Sequence, residues 1–282
     1  MVSDLAIIIV SYNARDDLDR CLRALHAAPP RVSHEIVVVD NGSSDGSPEV
    51  ARAGWPGLRV IDAGGNLGFS RANNLGIRAT SGRLILLLNS DTVTPPGAID
   101  RLVAELETYP DAAVAGPRLV DARGRPEISF GRMMTPVSEL RQKSLGRLYD
   151  AGVPVVVSWV RRWASRVHRP DWVSGACLLV RRADAERVGL LDERFFMYAE
   201  DVDFCASIRA AGRAVLFTPA AEVVHLRGRS ARHAPAAAEQ LYRLSQLAFY
   251  TKHHPRWVPW LRAYLRARGR LPHEATRTNS GT

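Results

Sequence analysis

Lysine is nearly missing from this sequence. Only Lys143 and Lys252 occur, so all but two of its 38 basic residues are arginine. Set against 29 acidic residues, that gives a formal charge of +9 and an isoelectric point near 10.1. Such an excess fits an anionic partner (nucleotide phosphates, anionic lipid or nucleic acid), and fits an arginine-rich solvated surface equally well. Cysteine is scarce too. Cys21, Cys177 and Cys205 are odd in number and form no CxxC pair, which excludes a disulfide framework and a thiolate zinc module and favours a reducing compartment. No apolar run approaches the roughly 20 residues of a membrane-spanning helix. Residues 5–10 (LAIIIV) follow Asp4 rather than a basic stretch, so no leader is expected either. Repeats, low-complexity tracts and Gly/Ser linkers are absent. With 46% hydrophobic residues in 282, there is ample apolar surface to fold, which excludes disorder as the main state.

What is present is a β-α-β-α alternation. Apolar runs at 5–10, 35–39, near 58–61 and at 84–88 predict strands. Leu18, Cys21, Leu22 and Leu25 recur at helical spacing, with acidic residues in the first turn and Pro29-Pro30 beyond. Further helices are predicted over 47–53, from Ser70, and after Pro95-Pro96 with Ile99, Leu102, Val103 and Leu106 inward. Strands apolar on both faces predict a mostly parallel, Rossmann-like α/β sheet flanked by helices. Ligands of such sheets bind at the carboxyl ends of the strands. There stand four polar clusters: Ser11-Tyr12-Asn13, the loop opening at Asp40, Gly64–Phe69, and Asn89-Ser90-Asp91. Residues 117–170 read as a long, irregular connection. A strand over 172–181, a helix near 183–188, a helix ending at Gly212 and short strands at 214–217 and 222–225 follow. A helical tail begins near Pro235, so one continuous domain with a C-terminal helical extension is expected.

These motifs together resemble the inverting family 2 glycosyltransferases, nearest their bacterial rhamnosyltransferase-like branch. The matching residues are Ile9–Asn13, Val39–Gly46, Asn66–Phe69, Asn73-Asn74, Leu88–Asp91, Ser174–Ala176 and Glu200–Asp203. Their shared order and spacing span about residues 4–255. The resemblance implies a GT-A fold, with a donor half at about 1–116, an acceptor half at about 117–234, and the extension at 235–282 ending in disordered residues. It implies a nucleotide-diphosphate sugar donor, a lipid- or polysaccharide-linked acceptor, Mg²⁺ or Mn²⁺, and a role in building envelope polysaccharide. Rhamnose is the first-choice sugar by resemblance; other hexoses and UDP or GDP donors stay open.

Several residues acquire roles from that resemblance, each beside a plainer alternative. Asp40 is placed on the nucleoside, or else caps its loop. Ser11, Tyr12, Asn13, Asn66, Gly68, Phe69, Arg71 and Asn73 are expected at the donor, with Ser70 capping a helix whose N-terminus favours phosphate. Asp45 reads as turn chemistry. Asn89-Ser90-Asp91 occupies the place of a DxD motif but departs from it at Asn89, leaving Asp91 as the metal carboxylate; hard oxygen donors suit either ion. His225 completes the metal shell in some relatives, and otherwise is structural. Asp201 matches the family's general base, with Glu200 its nearest competitor and Asp203 on another helix face. Trp172, Ser174, Gly175 and Ala176 are expected to floor the acceptor site, although Trp172 would equally serve the core.

In the tail, Trp257, Trp260 and Tyr264 alternate with Arg256, Arg262, Arg266 and Arg268. That pattern suits either a peripheral seat on an anionic membrane, on the cytoplasmic face, or a helix packed on the domain. A catalytically inactive sugar-nucleotide or carbohydrate binding protein is the alternative function; intact Asp91 and Asp201 argue against it. No nucleic-acid reader motif accompanies the charge, so that partner is not expected. The QxxRW motif of processive synthases is absent, and the sequence does not indicate an oligomeric state.

Overall fold

The apolar runs become the middle of a sheet. In the computed structural model, which describes residues 3–55, 57–226 and 235–272, β1 (Leu5–Ser11), β2 (His34–Asp40), β3 (Arg59–Asp62) and β4 (Leu84–Asn89) run parallel in the spatial order β3-β2-β1-β4. The crossovers carry α1 (Arg15–Ala27), α2 (Ser47–Gly54) and α3 (Phe69–Arg78). Alternate residues of each strand feed opposite cores. Ile7, Ile9, Leu86 and Leu88 meet Leu18, Leu22 and Leu25 of α1, whereas Ile8, Val37, Val39 and Leu87 meet Ala72 and Ile77 of α3. Gly76 lets α3 press on β1, since a Cβ there would stand 2.5 Å from Ile8 Cγ2.

The sheet continues beyond β4. After β5 (Thr92–Val93), α4 (Ala98–Thr108) leads to β6 (Ala112–Val120), and the full order is β3-β2-β1-β4-β9-β6-β10-β5. Here β9 (Cys177–Arg181) runs antiparallel between β4 and β6, and β10 (Ala214–His225) runs parallel to β6. The short β7 (Phe130–Gly131) and β8 (Trp172–Val173) form a separate antiparallel pair. A mostly parallel α/β sheet is thus borne out.

Three expectations change. The segment 117–170 holds the end of β6, then β7 and two helices, α5 (Pro136–Asp150) and α6 (Pro154–Trp163). Each begins with proline, and Thr135 forms a capping box with Ser138, but only Tyr149 and Val160 of their residues are buried. An arginine-studded helix with one buried residue carries no apolar stripe to read. Second, the strand expected at 172–181 breaks at Ser174-Gly175-Ala176, because the Ser174 N–H bonds to Ser129 O and the Gly175 N–H to the Asp201 carboxylate. Third, the two strands expected at 214–217 and 222–225 are one, β10, with a register shift between Thr218 and Glu222.

After α7 (Arg182–Arg187) and α8 (Glu200–Ala210), the chain forms α9 (Pro235–His253) and α10 (Val258–Ala267). Phe249 and Tyr250 of α9 are buried with Phe195, Ala199 and Val202, so α9 packs on the sheet domain. In α10 only Leu265 is buried; Trp260 is 73% exposed, with Trp257 and Tyr264 about half exposed. Among the described residues no helix is long and apolar enough to cross a membrane. The expected boundary at 234/235 and most of the expected disordered end, 273–282, lie outside the described residues.

Candidate functional site

The strand ends converge as polar loops that hold one another. Asn13, in a left-handed backbone conformation that asparagine tolerates, donates its N–H to Ser43 Oγ and accepts from the Ser44 N–H. Asp45 accepts the N–H groups of Arg15 and Ser47, tying the starts of α1 and α2 together, which is the turn role expected of it. Asn41 Nδ2 donates to Asn66 Oδ1, and the Leu67 N–H returns to Asn41 Oδ1. Gly68 has φ +82°, and a Cβ there would meet Phe196 O at 2.5 Å, so glycine lets this loop seat on the aromatic loop before α8. Asp40 is buried; its Oδ2 accepts the Ser43 N–H, while its Oδ1, like Ser11 Oγ, finds no hydrogen-bond partner among the described residues. Buried acceptors and hydroxyls left unmet at a strand end are suited to ligand N–H or O–H groups. Tyr12 is exposed and Ser90 half-buried at the same edge.

Arg71 and Asn73 go elsewhere. Arg71 Nε lies 3.4 Å from Glu193, and Asn73 Nδ2 donates back to Phe69 O within its own helix. Asn74, exchanging two hydrogen bonds with the Leu191 backbone, fixes the following loop.

Asp91 and His225 meet because β5 and β10 pair at their ends, reinforced by the Leu226 N–H to Asp91 O bond. His225 Nε2 is 3.3 Å from Asp91 Oδ1, and its Nδ1 is 3.1 Å from Glu127 Oε2. Burial opposes the imidazolium, but the hydrogen bonds and charges of Asp91 and Glu127 prevail and push its pKa up to about 9. A divalent cation could take the imidazole lone pair only by displacing that proton. The second carboxylate would fix the imidazole's orientation behind a metal. Among the described residues no cluster of three or more metal-type side chains is poised for an ion. Asp91 and His225 could together offer one carboxylate and one imidazole, and an ion there would take its remaining ligands from a diphosphate and water. Glu127 escaped sequence reading, since its only signal is contact with a histidine distant in the chain.

The head of α8 supplies the third part. Tyr198 and Ala199 both have positive φ (71° and 62°), a conformation costing about 1–2 kcal/mol per non-glycine residue. That turn aims Glu200 and Asp201 at the mouth of a cavity. Asp201 Oδ2 accepts the Gly175 N–H at 2.9 Å and Oδ1 the Val202 N–H at 2.8 Å. Burial raises its pKa, with the backbone N–H groups opposing. Glu200 is buried, its Oε2 finds no partner among the described residues, and burial plus the Asp201 charge push its pKa up to about 8. Asp203 faces away: its carboxylate accepts Lys252 Nζ at 2.8 Å and His253 Nε2 at 2.6 Å.

One cavity of about 620 Å³ is lined by Phe69, Asn89, Trp172, Ser174, Gly175, Ala176, Glu200, Asp201 and His225. It joins residues expected at donor, acceptor, base and metal. Arg132, Gln142 and Tyr242 also line it; they were not expected, because 117–170 offered only its arginine content and α9 only an alternating pattern.

Residues 6–163 match the family model described as glycosyl transferase family 2. The chain is similar to the N-acetylglucosaminyl-diphospho-decaprenol L-rhamnosyltransferase of Mycobacterium tuberculosis, 32% identical over 270 residues that cover 91% of this chain and 87% of that protein. It is also similar to the rhamnosyltransferase WbbL of Escherichia coli, at 26% identity over 78% of this chain and 82% of the relative. In structure it is similar to the mannosyltransferase PcManGT of Pyrobaculum calidifontis, solved with GDP-Man and Mn²⁺. The TM-score is 0.62 at 19% identity, over 94% of this chain and 69% of the other, a likeness that supports a shared GT-A fold.

Proposed function

This chain belongs to glycosyl transferase family 2 and is a glycosyltransferase, and from that premise we propose that it transfers rhamnose, with inversion, from a nucleotide-diphosphate donor to a hydroxyl of a lipid-linked diphosphate sugar. The donor lies along the strand ends, its base and ribose on Asp40 and Ser11. Asp91 and His225 would hold Mg²⁺ or Mn²⁺, which when bound would neutralise charge on the donor's diphosphate. The acceptor sugar sits on Trp172 and residues 174–176.

Asp201 takes the proton of the acceptor hydroxyl as that oxygen bonds to the anomeric carbon. The bond from that carbon to the phosphate oxygen breaks, and its electron pair leaves with the nucleoside diphosphate. The observation that carries this reading is the Asp201 carboxylate, anchored by two backbone N–H groups at the cavity that also holds Asn89 and His225. Those N–H groups favour its ionised form. Glu200 meets only its own backbone N–H and holds its proton to higher pH, so the pair divides into one base and one neutral acid. The same reading gives α10 a peripheral contact with an anionic cytoplasmic membrane face.

The test supplies dTDP-rhamnose, Mn²⁺ and a lipid diphosphate bearing N-acetylglucosamine. The expected product is a rhamnoside inverted at the anomeric carbon, lost with chelator and restored by added Mn²⁺. Full turnover in chelator, or a product of retained configuration, overturns the reading.

A further inference from the structure

A second cavity, of about 890 Å³, opens between α5, α6 and the β7 loop, and none of the transfer chemistry uses it. Its volume falls within the roughly 300–1,000 Å³ of ligand sites. Phe130, Met133, Leu145, Trp159, Val160 and Trp163 give it apolar walls. Trp159 and Trp163 are each more than 40% exposed, and their rings lie 5.6 Å apart, tilted by 42°, instead of entering the core. Val137, also on its lining, is exposed as well. A solvated apolar concavity of this size marks an interaction site.

Two features indicate its occupant. First, it adjoins the catalytic cavity, for Arg132 and Gln142 line both. Trp172, in the floor of the catalytic cavity, donates its indole N–H to Arg132 O at the junction. Second, the charge is positive there. Arg132 and Arg141 are exposed on the lining, and among the described residues neither side chain has an acidic partner. Arg132 on the shared wall of a sugar-sized cavity and an apolar one, with Arg141 on the apolar side, matches an amphiphile with an anionic linker.

We propose that this groove binds the apolar chain of the lipid-diphosphate acceptor, with Arg132 on the diphosphate where the two cavities meet. The proposal rests on the acceptor reading above and adds what the lipid does. The chain is recognised by the protein itself, so it sets acceptor affinity and aligns the sugar hydroxyl with Asp201.

Two acceptors test this in detergent micelles with the full chain. Both carry the same diphospho-N-acetylglucosamine, one on a long polyisoprenyl chain and one on a short water-soluble alkyl chain. Wild type is expected to show a KM at least tenfold lower for the long chain. Trp159→Arg should remove that preference by raising the long-chain KM, with donor KM and short-chain turnover unchanged; Trp159→Phe should keep it. Arg132→Gln should raise KM for both acceptors and leave the donor KM alone. Equal KM values in wild type, or a preference untouched by Trp159→Arg, overturn the groove assignment alone. The same holds if Trp159→Arg weakens binding to anionic phospholipid vesicles but leaves the KM ratio unchanged, since the face then docks membrane. Transfer to neither acceptor overturns the acceptor reading, and the groove with it.

Discussion

Glu200 and Asp201 are neighbours whose oxygens meet different surroundings. Glu200 has a usual pKa of 4.5 and stands at about 8 in the fold. The folded state therefore keeps a proton that the unfolded chain releases. Any such group stabilises the fold most below its unfolded value, and that contribution declines as pH rises towards its folded value. Glu200→Gln cannot ionise. Thermal melts should show a shallower fall in Tm between about pH 5 and 8 than wild type, with the variant more stable at pH 8. An unchanged slope would show that Glu200 ionises freely in the fold. Resemblance of the motifs around them singled out this pair together with Asp40 and Asp91, each at a strand end or a helix head. It could not reach the Gly175 N–H that holds Asp201, or Glu127 behind His225, because those contacts join distant segments. Arg71 was expected near phosphate on helix position, yet in this structure its guanidinium is beside Glu193.

At the level of elements, α8 and α9 are tied by one carboxylate. Asp203 is 1% exposed and holds Lys252 and His253 from α9. Tyr250 and Gln246 of α9 in turn donate to Glu139 of α5. Removing the carboxylate takes away two hydrogen bonds to a buried charge, about 3 kcal/mol or more together, although Lys252 keeps Asp192 at 2.8 Å. Asp203→Ala should therefore lower Tm by roughly 6 °C or more, at about 2–4 °C per kcal/mol for a chain of this size. Because α8 also carries Asp201, turnover should fall before the protein melts. A variant with wild-type Tm and kcat would deny this tie any structural role. The parallel sheet of β1 to β4 was legible since its strands are continuous apolar runs between turn residues. The helices α5 and α6 were not, since each buries a single side chain and turns arginine and valine outward together.

The whole molecule carries its +9 charge almost entirely as arginine. On α10, Arg262 and Arg266 share the helix with exposed Trp260 and Tyr264, and Arg256 and Trp257 precede it. Basic residues at an anionic surface contribute about 1 kcal/mol each, screened by salt. Trp257→Ala with Trp260→Ala should reduce co-sedimentation with anionic vesicles at low salt and leave Tm within about 1 °C, because both rings are solvent-facing. Equal pelleting of variant and wild type would remove the membrane contact. The tail's alternatives, packed or interfacial, divide at the chain's turn after His253: α9 packs on the domain, while α10 keeps its aromatics outside.

The central claim is that Asp201 is the base of a metal-assisted transfer. The most direct test is the rate of rhamnose transfer by Asp201→Asn, with donor binding measured on the same sample. Asparagine keeps the size and one acceptor oxygen but cannot take the proton. Transfer should fall by about 10²–10⁴-fold with donor Kd unchanged. The raised Asp201 pKa places the wild-type loss of activity on acidification above the ordinary aspartate range, and that loss should vanish from the residual rate of the variant. Turnover within a few-fold of wild type, with the same acid limb, would contradict the account.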